Sequence, residues 1–338
     1  MIKFTKILLM LSLFAFGFTS CNEQKTQFKV GFLVPTLESN RYVKESGYFE
    51  EKIKEFGGQV IIKDAERDES KQYQQALELI DEGVDILVIN AVNANTSAAI
   101  IRDAHKKGIK VVAYDRLIKN CELDFFITFD GEKVGEFIAQ YMVDHVPQGN
   151  YVLLNGDKGD ENAIIFQNGA LKVLQPNIDS KKINLIYKGY MEDWLGSNAA
   201  FYTDKILEFS NLEVNVIISM YDGLTDGIVS VLKDRNLAGK ILVTGQDAEI
   251  AACNRIMIGE QAMTIYKPGK ALAYKCAEIV RLLIKNEKIS DLRYVNNGRI
   301  EVPSIILDPI AVDKNNMLTT VVADGFLSMD EIMNYKAK

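Results

Sequence analysis

Apolar residues in this chain recur in two alternating textures. Short runs rich in Val, Ile, Leu and Phe fall at 29–34, 60–63, 86–90, 110–114 and 125–129. Apolar at consecutive positions, they read as strands buried on both faces, the pattern of a parallel sheet covered by helices. Between them lie stretches of helical periodicity at 71–82 and 98–107. In the first of these, Ala76, Leu77, Leu79 and Ile80 form an apolar stripe among Gln, Glu and Asp. Gly57-Gly58, Gly83 and Gly108 punctuate the helix ends, each just ahead of a strand.

The same texture restarts after residue 150. Strands at 151–155, 183–187, 216–220 and 241–245 alternate with helices at 162–174, 198–209, 222–234 and 248–259. A strand at 261–266 leads into a long amphipathic helix at 271–286, and late runs fall at 304–307 and 309–312. Strand–helix–strand units about 25–30 residues apart predict an α/β fold with two doubly wound, Rossmann-like units. No Pro/Gly/Ser-rich linker divides them, so the expectation is two lobes joined by crossing segments.

The start of the chain follows other rules. Lys3 and Lys6 precede the apolar stretch 7–18, which runs into Thr19-Ser20-Cys21. This is the layout of a secretory signal, too short to span a bilayer comfortably. Ending on Cys21, it resembles a bacterial lipoprotein signal over 1–20, with Cys21 lipidated and 21–27 a polar tether. The expected location is therefore periplasmic, lipid-anchored to a bacterial membrane.

Charge and composition narrow the chemistry. The 338 residues carry 46 acidic and 39 basic side chains, 39 − 46 = −7, which argues against a nucleic-acid partner. Two histidines leave little material for imidazole chemistry. Cys121, Cys253 and Cys276 form no ligand spacing and no disulfide framework, so they read as small core residues, with no metal and no cofactor expected. The phosphate-loop, dinucleotide-binding, zinc-protease and serine-hydrolase signatures are missing.

In open parallel sheets, ligands bind beyond the carboxyl ends of the strands. The residues following the predicted strands there are Glu38, Asn40, Arg41 and Tyr42; Asn90 and Asn93; Asp115 and Arg116. The second half adds Asp157, Asp160, Asn162, Asp193, Trp194, Tyr221, Asp222, Gln246, Asp247 and Lys267. Carboxylates, amides, cations and aromatics at one edge suit a ligand rich in hydroxyls, each of which donates and accepts while an aromatic face covers the C–H side. Simpler readings compete: Asp222 and Asp247 as helix caps, Arg116 as a surface ion pair with Asp115, Trp194 as core filler. Paired carboxylates among Asp160, Asp222 and Asp247 also leave open a glycoside-cleaving enzyme.

Six collinear motifs carry a family resemblance. They are Ala113-Tyr114-Asp115-Arg116, Phe129-Asp130-x-Glu132-Lys133-Val134-Gly135, Val146-Pro147-Gln148-Gly149-Asn150-Tyr151, Gly245-Gln246-Asp247-Ala248, Thr264-Ile265-Tyr266-Lys267-Pro268 and Asp313-Lys314-Asn315-Asn316. With them, the chain after residue 28 resembles the periplasmic sugar-binding proteins of bacterial ABC transporters, the D-xylose binders among them.

The resemblance implies a periplasmic binding protein of type I, with two lobes joined by a three-strand hinge. The lobes would be 28–129 with 268–306, and 130–267 with 307–338. It implies no enzyme but a monomeric receptor for a monosaccharide, D-xylose or a related pentose, delivered to an ABC permease or reported to a sensor kinase or chemoreceptor. It carries sugar contacts onto Arg41, Lys44, Arg116, Asp160, Asn162, Trp194, Asp247 and Lys267, with Tyr42, Tyr221 and Asp222 completing the expected site. Two positions depart from the xylose pattern: Tyr42 stands in place of a stacking tryptophan, and Tyr221 in place of an asparagine.

Overall fold

The computed structural model describes residues 28–336. The signal, Cys21 and the tether lie outside these residues.

The first half builds β1 (Lys29–Val34), α1 (Asn40–Glu55), β2 (Gln59–Asp64), α2 (Glu69–Asp81), β3 (Ile86–Ile89), α3 (Ala98–Lys106), β4 (Lys110–Tyr114) and β5 (Phe125–Phe129). The chain then passes directly into α4 (Gly131–His145), β6 (Gly149–Asn155), α5 (Glu161–Asp179), β7 (Ile183–Tyr190), α6 (Gly196–Phe209), β8 (Val216–Ser219), α7 (Asp222–Asp234), β9 (Leu242–Val243), α8 (Ile250–Ile258) and β10 (Thr264–Tyr266). It returns through α9 (Gly269–Ile284), β11 (Arg293–Asn296) and β12 (Glu301–Leu307), then ends on β13 (Ile310–Val312) and α10 (Met329–Met333).

Two main sheets result. The larger has the order β11-β12-β5-β4-β3-β1-β2, and the smaller β7-β6-β8-β9. Every pairing in them is parallel except β11 with β12. The late strand β12 joins β5 in the first sheet, and α9 packs its Leu272, Ala273, Cys276 and Val280 into the core beneath β1 and β4. Consequently the chain passes between the sheets three times: at Asp130, at Lys267-Pro268 and at Asp308-Pro309.

The differences from the sequence reading are local. The run expected as a strand over 261–266 forms one only over Thr264–Tyr266 and pairs antiparallel with β13, apart from the smaller sheet. The helix expected to end at 174 continues to Asp179 through Pro176, and β11 carried no periodic apolar signal.

Glycines set the helix spacing in the second half. A Cβ on Gly135 would fall 1.9 Å from the carbonyl oxygen of Phe166, and one on Gly169 would fall 2.1 Å from that of Glu132. Only bare backbone lets α4 and α5 approach so closely. The three cysteines expected in the core are free and buried there, and burial pushes the Cys121 thiol up to about 11.

Candidate functional site

A cleft of about 520 Å³ opens where the carboxyl ends of the two parallel sheets face each other. Of the residues expected in the site, Arg41, Tyr42, Arg116, Asp160, Asn162, Trp194, Tyr221, Asp247 and Lys267 line it.

Arg41 sits at the centre. It lies on the inward stripe of α1 with Tyr42, Glu45, Ser46 and Phe49, and is 2% exposed. Its Nε donates to Glu45 Oε1 at 2.7 Å, Nη2 to Asp115 Oδ1 at 2.9 Å, and Nη1 to Asp247 Oδ1 at 3.1 Å. Lys267 Nζ reaches the same Asp247 oxygen at 2.9 Å. Arg116 Nε pairs with Asp160 Oδ2 at 2.9 Å, and its Nη1 donates to the Ala91 carbonyl at 3.1 Å. Tyr42 places its ring 5.3 Å from the Arg41 guanidinium carbon.

These ion pairs reset the carboxylates. Burial alone would raise the Asp115 carboxyl, but Arg41, Lys267 and Arg116 around it hold it well below the usual range. Burial pushes Glu45 and Asp160 up, against the pull of Arg41 and Arg116 respectively. The cleft thus holds fixed charge that is already paired, poised to exchange partners with hydroxyls rather than to bind a net charge.

Backbone strain gathers at the same place. Asp115, Asp193, Trp194 and Asp247 line the cleft at φ of 65°, 53°, 57° and 92°, a region costly for non-glycine residues and retained where geometry serves a site. Asp160 serves twice: it caps α5, accepting from Asn162 N at 2.9 Å, and it pairs with Arg116, which the sequence reading had paired with Asp115.

The two halves touch along the cleft rim. Asn162 Nδ2 donates to the Asp115 carbonyl at 3.2 Å, Ala94 N to the Gly159 carbonyl at 3.1 Å, and Lys119 pairs with Glu161 at 3.0 Å.

Lys44 and Asp222 are placed elsewhere. Lys44 points off the inward stripe of α1, donates to the Phe326 carbonyl and stands 4.6 Å from that residue's ring centroid. Asp222 lies behind the cleft wall, where it accepts from Glu249 N, Gln261 Nε2 and Thr264 Oγ1, each at 2.9 Å. Burial raises its pKa well above the carboxylate range, against the pull of Arg255.

Asn93, Asp115 and Gln246, candidates from the strand ends, also line the cleft, whereas Thr36, Ser39 and Phe166 were absent from every candidate set. Phe166 was legible in principle, lying one helical turn beyond Asn162 on the same face of α5. Among the described residues no acidic, His or Cys cluster could hold a metal, and no helix is long and apolar enough to cross a membrane.

Residues 30–288 match the family described as "Periplasmic binding protein domain". The chain is 40% identical over 313 residues to a D-xylose-binding periplasmic protein of Haemophilus influenzae, covering 93% of this chain and 94% of that one. A D-xylose-binding periplasmic protein of Escherichia coli is 38% identical, with 90% and 93% covered. A multiple sugar-binding periplasmic receptor of Rhizobium radiobacter is 34% identical, with 90% and 92% covered. Among solved structures, an ABC transporter solute-binding protein of Clostridium phytofermentans with bound β-D-glucose superposes with a TM-score of 0.84 at 26% identity, covering 90% of this chain and 99% of that one. The chain belongs to the periplasmic binding proteins of type I fold, ligand receptors and not enzymes, and is related to the D-xylose-binding members of that family.

Proposed function

We propose that this protein is a lipid-anchored extracytoplasmic receptor that captures a monosaccharide, D-xylose or a related pentose, and delivers it to an ABC permease. The observation that carries the reading is the buried Arg41 fork, which grips Asp115 in its own half and Asp247 in the other. A sugar hydroxyl entering between such groups donates to a carboxylate and accepts from a guanidinium or ammonium. Enclosure turns a wrong epimer into an unpaired buried group at roughly 1–3 kcal/mol.

The halves 28–129 with 268–306 and 130–267 with 307–338 act as rigid bodies in this reading. They open and close about the crossings at Asp130, Lys267 and Asp308. Closure alters the outer surface that the permease reads. Arg41, Tyr42, Arg116, Asp160, Asn162, Trp194, Tyr221, Asp247 and Lys267 are the ligand contacts, supported by their common place in the cleft lining.

A thermal-shift screen of pentoses and hexoses tests the function, because a ligand that binds only the folded form raises its melting temperature. D-xylose or a related pentose is expected to give the largest shift; no shift with any aldose refutes the proposal. The 34% identity to a multiple sugar-binding receptor favours a second reading with a broader aldose range, which comparable shifts across pentoses and hexoses would support. For the anchor, Cys21→Ala is expected to release the protein from membranes, and retention would refute it.

A further inference from the structure

Three aromatic rings from different elements meet in the cleft lining. Phe166, Trp194 and Tyr221, all from the second half, form a chain of edge-on rings. Phe166 and Trp194 lie 6.5 Å apart at 65°, and Trp194 and Tyr221 lie 5.9 Å apart at 89°. Of the two polar atoms these rings carry, only the Tyr221 hydroxyl is already engaged by the protein. Trp194 Nε1 is buried with no partner. Tyr221 donates its hydroxyl to Glu249 Oε1 at 2.7 Å, and Ser39 Oγ, from the opposite half, reaches that same oxygen at 3.4 Å.

Tyr221 is also fixed in place. Its ring lies against Gly223, where any Cβ would come within 2.4 Å of Cε1. Swinging the phenol toward a ligand would take from the half-buried Glu249 its closer donor and leave that oxygen only the longer contact with Ser39. The remaining walls contrast sharply, since Arg41, Asp115, Arg116, Asp160, Asp247 and Lys267 all present charge.

We propose that Tyr221 is a specificity-determining residue that makes the site blind to one ring position of its sugar: the carbon facing Tyr221 is read by ring contact alone, and a hydroxyl there contributes no affinity. This rests on the sugar-binding reading above. The site then accepts sugars that differ only at that carbon, including deoxy sugars, while discriminating strictly at the others.

The experiment is calorimetry on the full chain with D-xylose, D-glucose and the monodeoxy analogues of whichever of the two binds. One deoxy analogue is expected to bind within about threefold of its parent, and the others to weaken by tenfold or more. Tyr221→Asn puts a donor and an acceptor on a short arm, so the tolerated analogue should now fall tenfold behind its parent. The proposal is overturned if every deoxy analogue weakens tenfold in the unaltered protein. It is also overturned if Tyr221→Asn leaves the profile as it was. If neither parent binds but another aldose does, the comparison runs on that aldose and its monodeoxy analogues; binding of no aldose overturns the sugar reading itself, and the blind position with it.

Discussion

Arg41 and Asp247 meet across the cleft, with Nη1 3.1 Å from Oδ1, although 206 positions separate them along the chain. Asp247 also carries Lys267 at 2.9 Å, so one carboxylate balances two buried cations. Removing it leaves both cations short of a partner in a poorly solvated space, where breaking a buried pair costs about 3–5 kcal/mol. Asp247→Ala is therefore expected to weaken sugar binding by at least tenfold while leaving a folded protein, because neither half's core includes this residue. Calorimetry with unchanged affinity, alongside an unchanged circular dichroism spectrum, would remove Asp247 from the site.

Acid should act on the cleft carboxylates in a definite order. The Asp115 pKa is depressed, so its stabilising contribution is complete above the ordinary 3.8 and is lost only as pH falls through its lower folded value. Glu45 and Asp160 have raised values and take up their protons first. Thermal melts of the unaltered protein and Asp115→Asn should differ most near neutrality and converge only below about pH 3. Convergence already at about pH 5 would show that Arg41 does not hold Asp115 ionised.

Much of this site was legible because it follows the strands. Arg116 and Asp247 come directly after buried Ile/Val/Ala runs, and the topology of a parallel sheet alone puts them at one edge. Lys44 was misplaced for a reason the helix makes plain. The buried stripe of α1 runs Arg41, Tyr42, Glu45, Ser46, Phe49, and a residue three positions after Arg41 falls to its flank, from where Lys44 reaches Phe326 instead. Asp222 follows its strand as Asp247 does, yet a single position along the turn decides between wall and core. Glu45 was hidden because a buried acid in a helix gives no periodic signal; only its partners, Arg41 and the Tyr114 hydroxyl at 2.8 Å, explain it.

The contact between α4 and α5 links packing to binding. Gly135→Ala forces a methyl onto the Phe166 carbonyl, and α5 carries Asp160, Asn162 and Phe166 into the cleft. Overpacking of this kind costs about 1–3 kcal/mol, more where only backbone can yield. Gly135→Ala should lower the denaturant midpoint and weaken sugar binding together. Gly47→Ala is the control: nothing lies within 4 Å of its added Cβ, it sits inside α1, and it should be neutral or slightly stabilising. Equal effects from the two substitutions would remove the close approach as the cause.

Lys44, outside the cleft, still joins the halves, because α1 belongs to the first and Phe326 packs in the core of the second with Tyr266 and Val312. On the closure proposed above, its contact forms only while the halves are together, and it stabilises the closed form without touching ligand. Lys44→Ala should therefore speed sugar release by about two- to fivefold and leave the association rate nearly unchanged, as expected when a bound state loses one partly exposed contact. Trp194 is the single tryptophan and lines the cleft, so stopped-flow fluorescence reads both rates directly. An unchanged release rate, or a loss confined to association, would show that Lys44 contributes nothing to holding the halves shut.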